Sequence, residues 1–385
     1  MLDHVRAARI GPPVETVALE AAAGRVLAAP IRADRDYPAR DRSVRDGYAV
    51  RAIDLPGTLD IIGEVRAGES FTAEIGPRQA VEIMTGAPIP RGADAVVMIE
   101  HTSREDSRVT AAQPATTGQF INPQGCEARA GDVLLNPGLR LDFTAIAMLA
   151  ATGAQHVPVF ARPRVALIAT GDEIVPIAET PRDFQIRNSN VYSLAAQVTR
   201  AGGLPEILPV ARDEFAHTRA SIERGLDADL LLLSGGVSAG KYDLVEQVLA
   251  ALDAEFFFDR VLIQPGQPLV FGRARGKFFF GLPGNPSSTM VTFEIFARAA
   301  LELLGGQQEV ALHMPYSRLA EEFHHRPGLT RFLPARLSPD GASVTPIPWH
   351  GSSDVPAMTR ANAFMVVDAD RAAWQPGDWI RVLPK

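Results

Sequence analysis

The chain has 385 residues, too many for one ordinary hydrophobic core, and 46% apolar with 22% charged residues is a globular composition, so about two to four domains are expected. A net charge of −7 and a pI near 5.7 argue against wholesale nucleic-acid binding, so an anionic ligand must be held by backbone dipoles, a metal ion or a few basic side chains. The single cysteine, Cys126, excludes an internal disulfide, and the sequence shows neither a secretory leader nor an apolar run near ~18 residues; a cytoplasmic protein that touches no membrane is expected.

A short helix opens the chain, Gly11-Pro12-Pro13 breaks it, and the spacing predicts a second helix over 15–23 and an extended stretch over 25–30. From Ala33 to Gly131 the texture changes to short strands at 59–65, 81–84 and 95–99, separated by Pro-Gly, Gly-Pro and Arg-Gly turns, which reads as a β-rich insert domain over 33–131. A helix over 143–151 and an extended 155–160 follow. Residues 14–32 and 132–162 therefore read as one split linker domain around the insert. From residue 164 strands alternate with helices: strands 165–169, 204–210, 230–234 and 256–263, helices 190–201, 214–226 and 244–252, then a hairpin over 269–280 and a helix over 289–304. That alternation predicts a mainly parallel sheet covered on both faces, a three-layer α/β/α domain made of 1–13 and 163–307. Beyond Gly305-Gly306 the strands at 330–337, 363–367 and 379–382 indicate a C-terminal β domain over 308–385.

The apolar strand 230–234 empties through Gly235-Gly236-Val237-Ser238-Ala239-Gly240 into a helix, and Gly281-Leu282-Pro283-Gly284-Asn285-Pro286 forms a second glycine turn after another strand. Bare N–H groups at such turns suit anions, and two of them at strand ends belong at the ligand crevice of an open α/β sheet. Gly235-x-x-x-x-Gly240-Lys241 also approaches the phosphate loop of nucleotide hydrolases, but Tyr242 stands where that loop needs a Mg²⁺-binding hydroxyl. Glu173, Asp213 and Asp243 follow strands or glycine turns. Singly each reads first as a helix cap or solvated turn; together, at the carboxyl edge beside glycine turns, they read as an oxygen-ligand site. The histidines show no ligand spacing, and no Gly-x-Ser-x-Gly elbow occurs.

Six stretches then occur in order: Asp46-Gly47-Tyr48-Ala49-Val50, Met84-Thr85-Gly86-Ala87-Pro88-Ile89-Pro90 with Ala93-Asp94-Ala95-Val96-Val97, Thr170-Gly171-Asp172-Glu173, Ser234-Gly235-Gly236-Val237-Ser238, Pro265-Gly266-Gln267-Pro268, and Gly281-Leu282-Pro283-Gly284-Asn285-Pro286. With them the chain resembles, over nearly its whole length, the molybdopterin molybdenumtransferases (molybdenum insertases), bacterial relatives of the gephyrin C-terminal domain. The resemblance implies a four-domain homodimer with a molybdopterin-binding α/β domain and a C-terminal β-barrel. It implies insertion of molybdate into adenylylated molybdopterin with Mg²⁺-dependent release of AMP.

It also implies residue roles. Asp46 and Thr85 would act across the dimer interface, with Glu173, Asp213, Asp243 and Arg260 completing the catalytic set. Glu173, Asp213 and Asp243 would be the metal ligands. Thr170, Gly171, Ser234, Gly235, Gly236 and Ser238 would cradle the substrate, Pro283, Gly284, Asn285 and Pro286 would shape the second turn, and Ser352 would be tied to the site. A molybdopterin adenylyltransferase and molybdoenzyme chaperones would be partners. The chain departs from the family pattern at Gln264 and Gln267, where lysines are usual, at Glu127, where an aspartate is usual, and at Arg45. Each lost charge-assisted hydrogen bond to an oxyanion is worth on the order of 1.5–3 kcal/mol. These departures motivate two alternatives: a non-catalytic carrier of molybdopterin or finished cofactor, and a tungstate-preferring insertase.

Overall fold

The computed structural model describes residues 1–8, 11–236 and 244–385. They divide into two compact units, one of Met1–Ala28, Pro137–Asp142 and His156–Lys385, the other of Ala29–Asn136 and Phe143–Gln155.

The first unit is built on a six-stranded sheet in the order Leu204–Ile207, Arg164–Ala169, Leu230–Ser234, Lys277–Leu282, Pro268–Ala274, Glu255–Arg260. The first four strands run parallel, and the last two are added antiparallel. Successive strand residues point to opposite faces. Val165, Leu167, Leu230, Leu232, Phe278 and Phe280 pack under helices Asn190–Arg200 and Arg298–Leu304, through Val191, Leu194, Val198 and Leu301. Ala166, Ile168, Leu231, Leu233 and Phe279 pack under helices Phe215–Gly225 and Leu244–Ala250, through Ile222, Val245, Val248 and Leu249. Burial on both faces explains the unbroken apolar run 230–233, and the expected three-layer α/β/α architecture is present.

Strands Tyr316–Leu319, Thr330–Leu337, Ser343–Pro346, Ala363–Val367 and Trp379–Pro384 close into a barrel, because Thr330–Leu337 pairs with both Ser343–Pro346 and Ala363–Val367. Its interior holds Leu319, Leu333, Val344, Met365, Val382 and Trp374. Phe332, Phe364 and Val366 face the other way and pack with Val291 and Met358.

Several predicted elements change on folding. The helix expected over 15–23 is the strand Val14–Ala18, paired antiparallel with His156–Phe160, followed by a single 3₁₀ turn at Leu19–Ala21. Glu and Ala favour helix here, but the β-branched Val14, Thr16 and Val17 fit a strand, and the waiting partner overrides local propensity. The strand expected over 256–263 splits: Glu255–Arg260 stays in the central sheet, whereas Ile263–Gln264 pairs with Thr330–Leu337. The helix expected from residue 289 begins at Pro286, a proline placed where its missing N–H costs nothing, and is π-helical over Phe293–Ala297.

The second unit carries a six-stranded sheet in the order Ala95–Met98, Gly47–Val50, Gln79–Ile83, Gly57–Val65, Arg108–Ala111, Thr102–Glu105. Helix Phe143–Ala151 belongs to this unit by contact, although the sequence pattern assigns it to the linker domain. Among the described residues no helix is long and apolar enough to cross a membrane.

Candidate functional site

At the carboxyl ends of strands Arg164–Ala169, Leu230–Ser234 and Lys277–Leu282 lies a cavity of about 760 Å³, where a doubly wound sheet is expected to bind its ligand. The two glycine turns form its floor and touch each other. A Cβ at Gly284 would lie 3.5 Å from the Gly235 Cα. Gly235 (φ +94°) and Gly236 (φ +67°) occupy the left-handed region, and a Cβ on either would come within 2.9 Å of the Thr170 carbonyl or 2.7 Å of its Oγ1. Only glycine permits this approach.

Side chains lock the turns together. Asn190 Nδ2 donates to Ser234 Oγ at 2.9 Å and to the Gly284 carbonyl at 2.7 Å. Asn285 Nδ2 donates to Ser352 Oγ at 2.8 Å, and the Ser287 N–H donates to the Ser352 carbonyl at 2.9 Å. The Ser287 donor at the start of helix Pro286–Thr292 is thus occupied by the barrel loop rather than left for an anion. Thr289 Oγ1 closes the same turn onto the Pro283 carbonyl at 2.6 Å.

The expected acids divide. Glu173 lines the cavity and folds across Gly171, where a Cβ would collide with its carboxylate. Asp213 is not part of the lining. Its carboxylate accepts from the Asp172 N–H at 3.4 Å, while the Asp213 N–H donates to Asp172 Oδ1 at 3.3 Å. Asp243 and Ser238, with Gly240, Lys241 and Tyr242 of the near-match phosphate loop, lie outside the described residues. Among the described residues no three acidic, histidine or cysteine side chains gather as a metal cluster. Glu173 alone is short of an oxygen cage. Arg260 ends the edge strand, exposed and opposite the lining residue Pro268 but not itself in the lining, whereas Gln264 and Gln267 both line the cavity.

Asp46 and Thr85 belong to the second unit. Asp46 Oδ1 accepts from the Thr85 N–H at 2.6 Å and from its Oγ1 at 2.8 Å, and these bonds, the backbone one foremost, hold the Asp46 carboxyl below its ordinary value. Arg45 places its guanidinium 5.9 Å over the Phe120 ring, and Glu127 pairs with Arg42.

Among the cavity residues that the sequence did not single out are Arg187, Asn188, Asn190 and Trp349. The only signal was a polar Arg187-Asn188-Ser189-Asn190 run leading into a helix, which as a sequence pattern reads as a cap. Arg187 turns its Nε to the Ile177 and Glu179 carbonyls, at 3.1 and 3.0 Å.

Three family models match the chain: the MoeA N-terminal region (domain I and II) over residues 1–153, a probable molybdopterin binding domain over 166–303, and the MoeA C-terminal region (domain IV) over 316–385. The molybdopterin molybdenumtransferase of Bacillus subtilis (strain 168) is 36% identical over 388 residues, covering 96% of this chain and 89% of the relative. That of Staphylococcus aureus (strain N315) is 33% identical over 381 residues, covering 96% and 91%. Among solved structures, the molybdopterin biosynthesis MoeA protein of Pyrococcus horikoshii OT3 superimposes with a TM-score of 0.80 at 28% identity, covering 97% of this chain and 95% of that one. Another structure of a Pyrococcus MoeA protein gives 0.76 at 33%, covering 100% and 97%. With such identity along almost all of its length, the chain belongs to the MoeA family of molybdopterin molybdenumtransferases.

Proposed function

We propose that this protein inserts molybdate into adenylylated molybdopterin and releases AMP. The observation that carries the reading is the cavity itself: two mutually packed glycine turns and Glu173, at the carboxyl edge of a parallel sheet, in a chain with family-wide likeness. Substrate and molybdate are both anionic, so their approach needs cations and N–H donors. The chain's own contribution is to position: the Gly235-Gly236 turn lets a ligand approach the backbone, and the Asn190 and Asn285 bonds keep the two turns in register. Magnesium dependence belongs to the proposal, with Glu173, Asp213 and Asp243 as ligands. The described donors by themselves do not complete such a site. A homodimer in which Asp46 and Thr85 act across the subunit interface is likewise part of the reading.

The test is a single-turnover assay with purified protein. Release of AMP from adenylylated molybdopterin is expected only when molybdate and Mg²⁺ are both supplied, and Asp243→Ala should abolish it while the circular dichroism spectrum is unchanged. No release under conditions in which a known insertase works would overturn the proposal. Gln264 and Gln267, lining the cavity in place of lysines, favour a second reading, in which the pocket carries molybdopterin or finished cofactor without turnover. Tight binding with no AMP formed is the result that selects it. Parallel reactions with tungstate decide the oxyanion.

A further inference from the structure

A surface groove of about 480 Å³ runs between helix Leu244–Ala250 and the edge strand Glu255–Arg260. That strand ends the six-stranded sheet and pairs on one side only, with Pro268–Ala274, so its outer N–H and C=O groups have no ladder partner among the described residues. Its register slips between Phe256 and Phe258 and again before Arg260. The irregularity turns Phe257 and Phe258 to the same face of the sheet, where both pack against Phe271. Phe256 is left on the other face, edge-on to Phe279 at 5.7 Å between ring centroids, and it stays 39% exposed.

Two acids share the groove with this ring, Glu246 from the helix and Asp259 from the strand. Burial first, and the like charge of Asp259 second, push the Glu246 carboxyl above its ordinary value, and among the described residues no cation offsets them. Other acids of the same sheet and its helices are matched: Glu255 pairs with Arg273, Glu223 with Arg275 and Asp229 with Lys277. A first-turn glutamate suits the helix by itself, but a second carboxylate beside it works against that, so the helix dipole does not account for the pair.

The complement of this surface is cationic. An exposed ring beside two carboxylates favours a guanidinium, which stacks flat on an aromatic face while its fork reaches the oxygens; a bare metal ion would leave the ring unused. The one-sided strand alongside suits a peptide backbone rather than a free small molecule. We propose that the groove docks an extended segment of a partner protein, which seats an arginine side chain on Phe256 between Glu246 and Asp259 and runs its backbone along the outer edge of strand Glu255–Arg260. None of these residues lines the substrate cavity, so the docking does not depend on what the cavity binds.

The test immobilises the full chain and offers it two pools of acetylated, amidated pentapeptides at low ionic strength. One pool has a central arginine and the other a central glutamine, and the remaining positions are randomised over valine, isoleucine, threonine and serine. Retained peptides are identified by mass spectrometry. The arginine pool is expected to be retained about tenfold or more over the glutamine pool, the value of a charge-assisted hydrogen bond, and to be released as salt is raised. Asp259→Asn and Phe256→Ser should each remove the preference with thermal melts close to wild type. Methylation of the backbone nitrogens of a retained peptide should weaken it as well. Equal retention of the two pools by the wild type would overturn the proposal, as would an arginine preference that survives both substitutions together. Competition by arginine amide as effective as that of a retained peptide would reassign the groove to a small cation. A change of oligomeric state in Phe256→Ser, with no peptide retained by the wild type, would give the groove to a second copy of this chain; either result rejects the docking site.

Discussion

The two large sheets of the first unit end in opposite ways. The barrel closes on itself, so its five strands leave no free edge, and one of the loops between them holds a neighbouring turn through Ser352. The central sheet stays open, and its parallel strands stop at glycine turns beside Thr170, Asn188 and Asn190, each with a buried atom left unpaired. Chemistry is expected at the open carboxyl edge, where the strands give way to turns. The barrel contributes to the site by presenting Trp349 and Ser352, and its closed core serves to keep them in place.

The contrast can be broken from either side. Phe280, fully buried and 4.7 Å from Phe271 between ring centroids, is the largest lever. Phe280→Ala should cost about 3–5 kcal/mol in denaturant unfolding of the α/β region. Met365→Ala, in the barrel interior, should cost about 2–5 kcal/mol by the same measurement. Its turnover per folded molecule should stay near wild type; a large loss would show that the barrel takes a direct part. Gly235→Ala inverts the pattern. A side chain at φ +94°, 2.9 Å from the Thr170 carbonyl, should cost about 1–3 kcal/mol and lower AMP release far more than thermal stability. Equal losses in both would make the turn structural.

The smallest effect concerns the second unit. The Asp46 carboxyl is held below its ordinary value of 3.8 by the Thr85 N–H and hydroxyl, so its stabilising contribution is present above that pH and is lost as the pH falls through the depressed value. Thermal melts of Asp46→Asn should therefore sit slightly below wild type at neutral pH and converge with it in strong acid. A gap that widens on acidification would contradict the assigned bonds.

Much of the fold was legible from patterning. The strand Leu230–Ser234 and the helix Phe143–Ala151 were read to the residue, because one is a run of leucines buried on both faces and the other an apolar stretch between turn residues. The segment 15–23 was not. Its alanines and glutamates spell helix, and only the partner His156–Phe160, far away in sequence, makes it a strand. The site was half legible. Glycines announced the turns, since an open backbone conformation demands that residue, whereas Asn188 and Asn190 were indistinguishable from caps until their surroundings showed which atoms lacked partners.

What the sequence alone determined, then, is the succession of elements, the two glycine turns and the family, all carried by local periodicity and residue type. Tertiary structure decided what depends on encounters between distant segments: that Asp213 bonds back to Asp172 outside the cavity lining, that Ser352 caps a turn 67 residues away through Asn285, and that Asn190 ties Ser234 to the Gly284 carbonyl. The physical reason is that hydrogen-bond satisfaction belongs to a pair of groups, and the chain order does not say which pairs will meet.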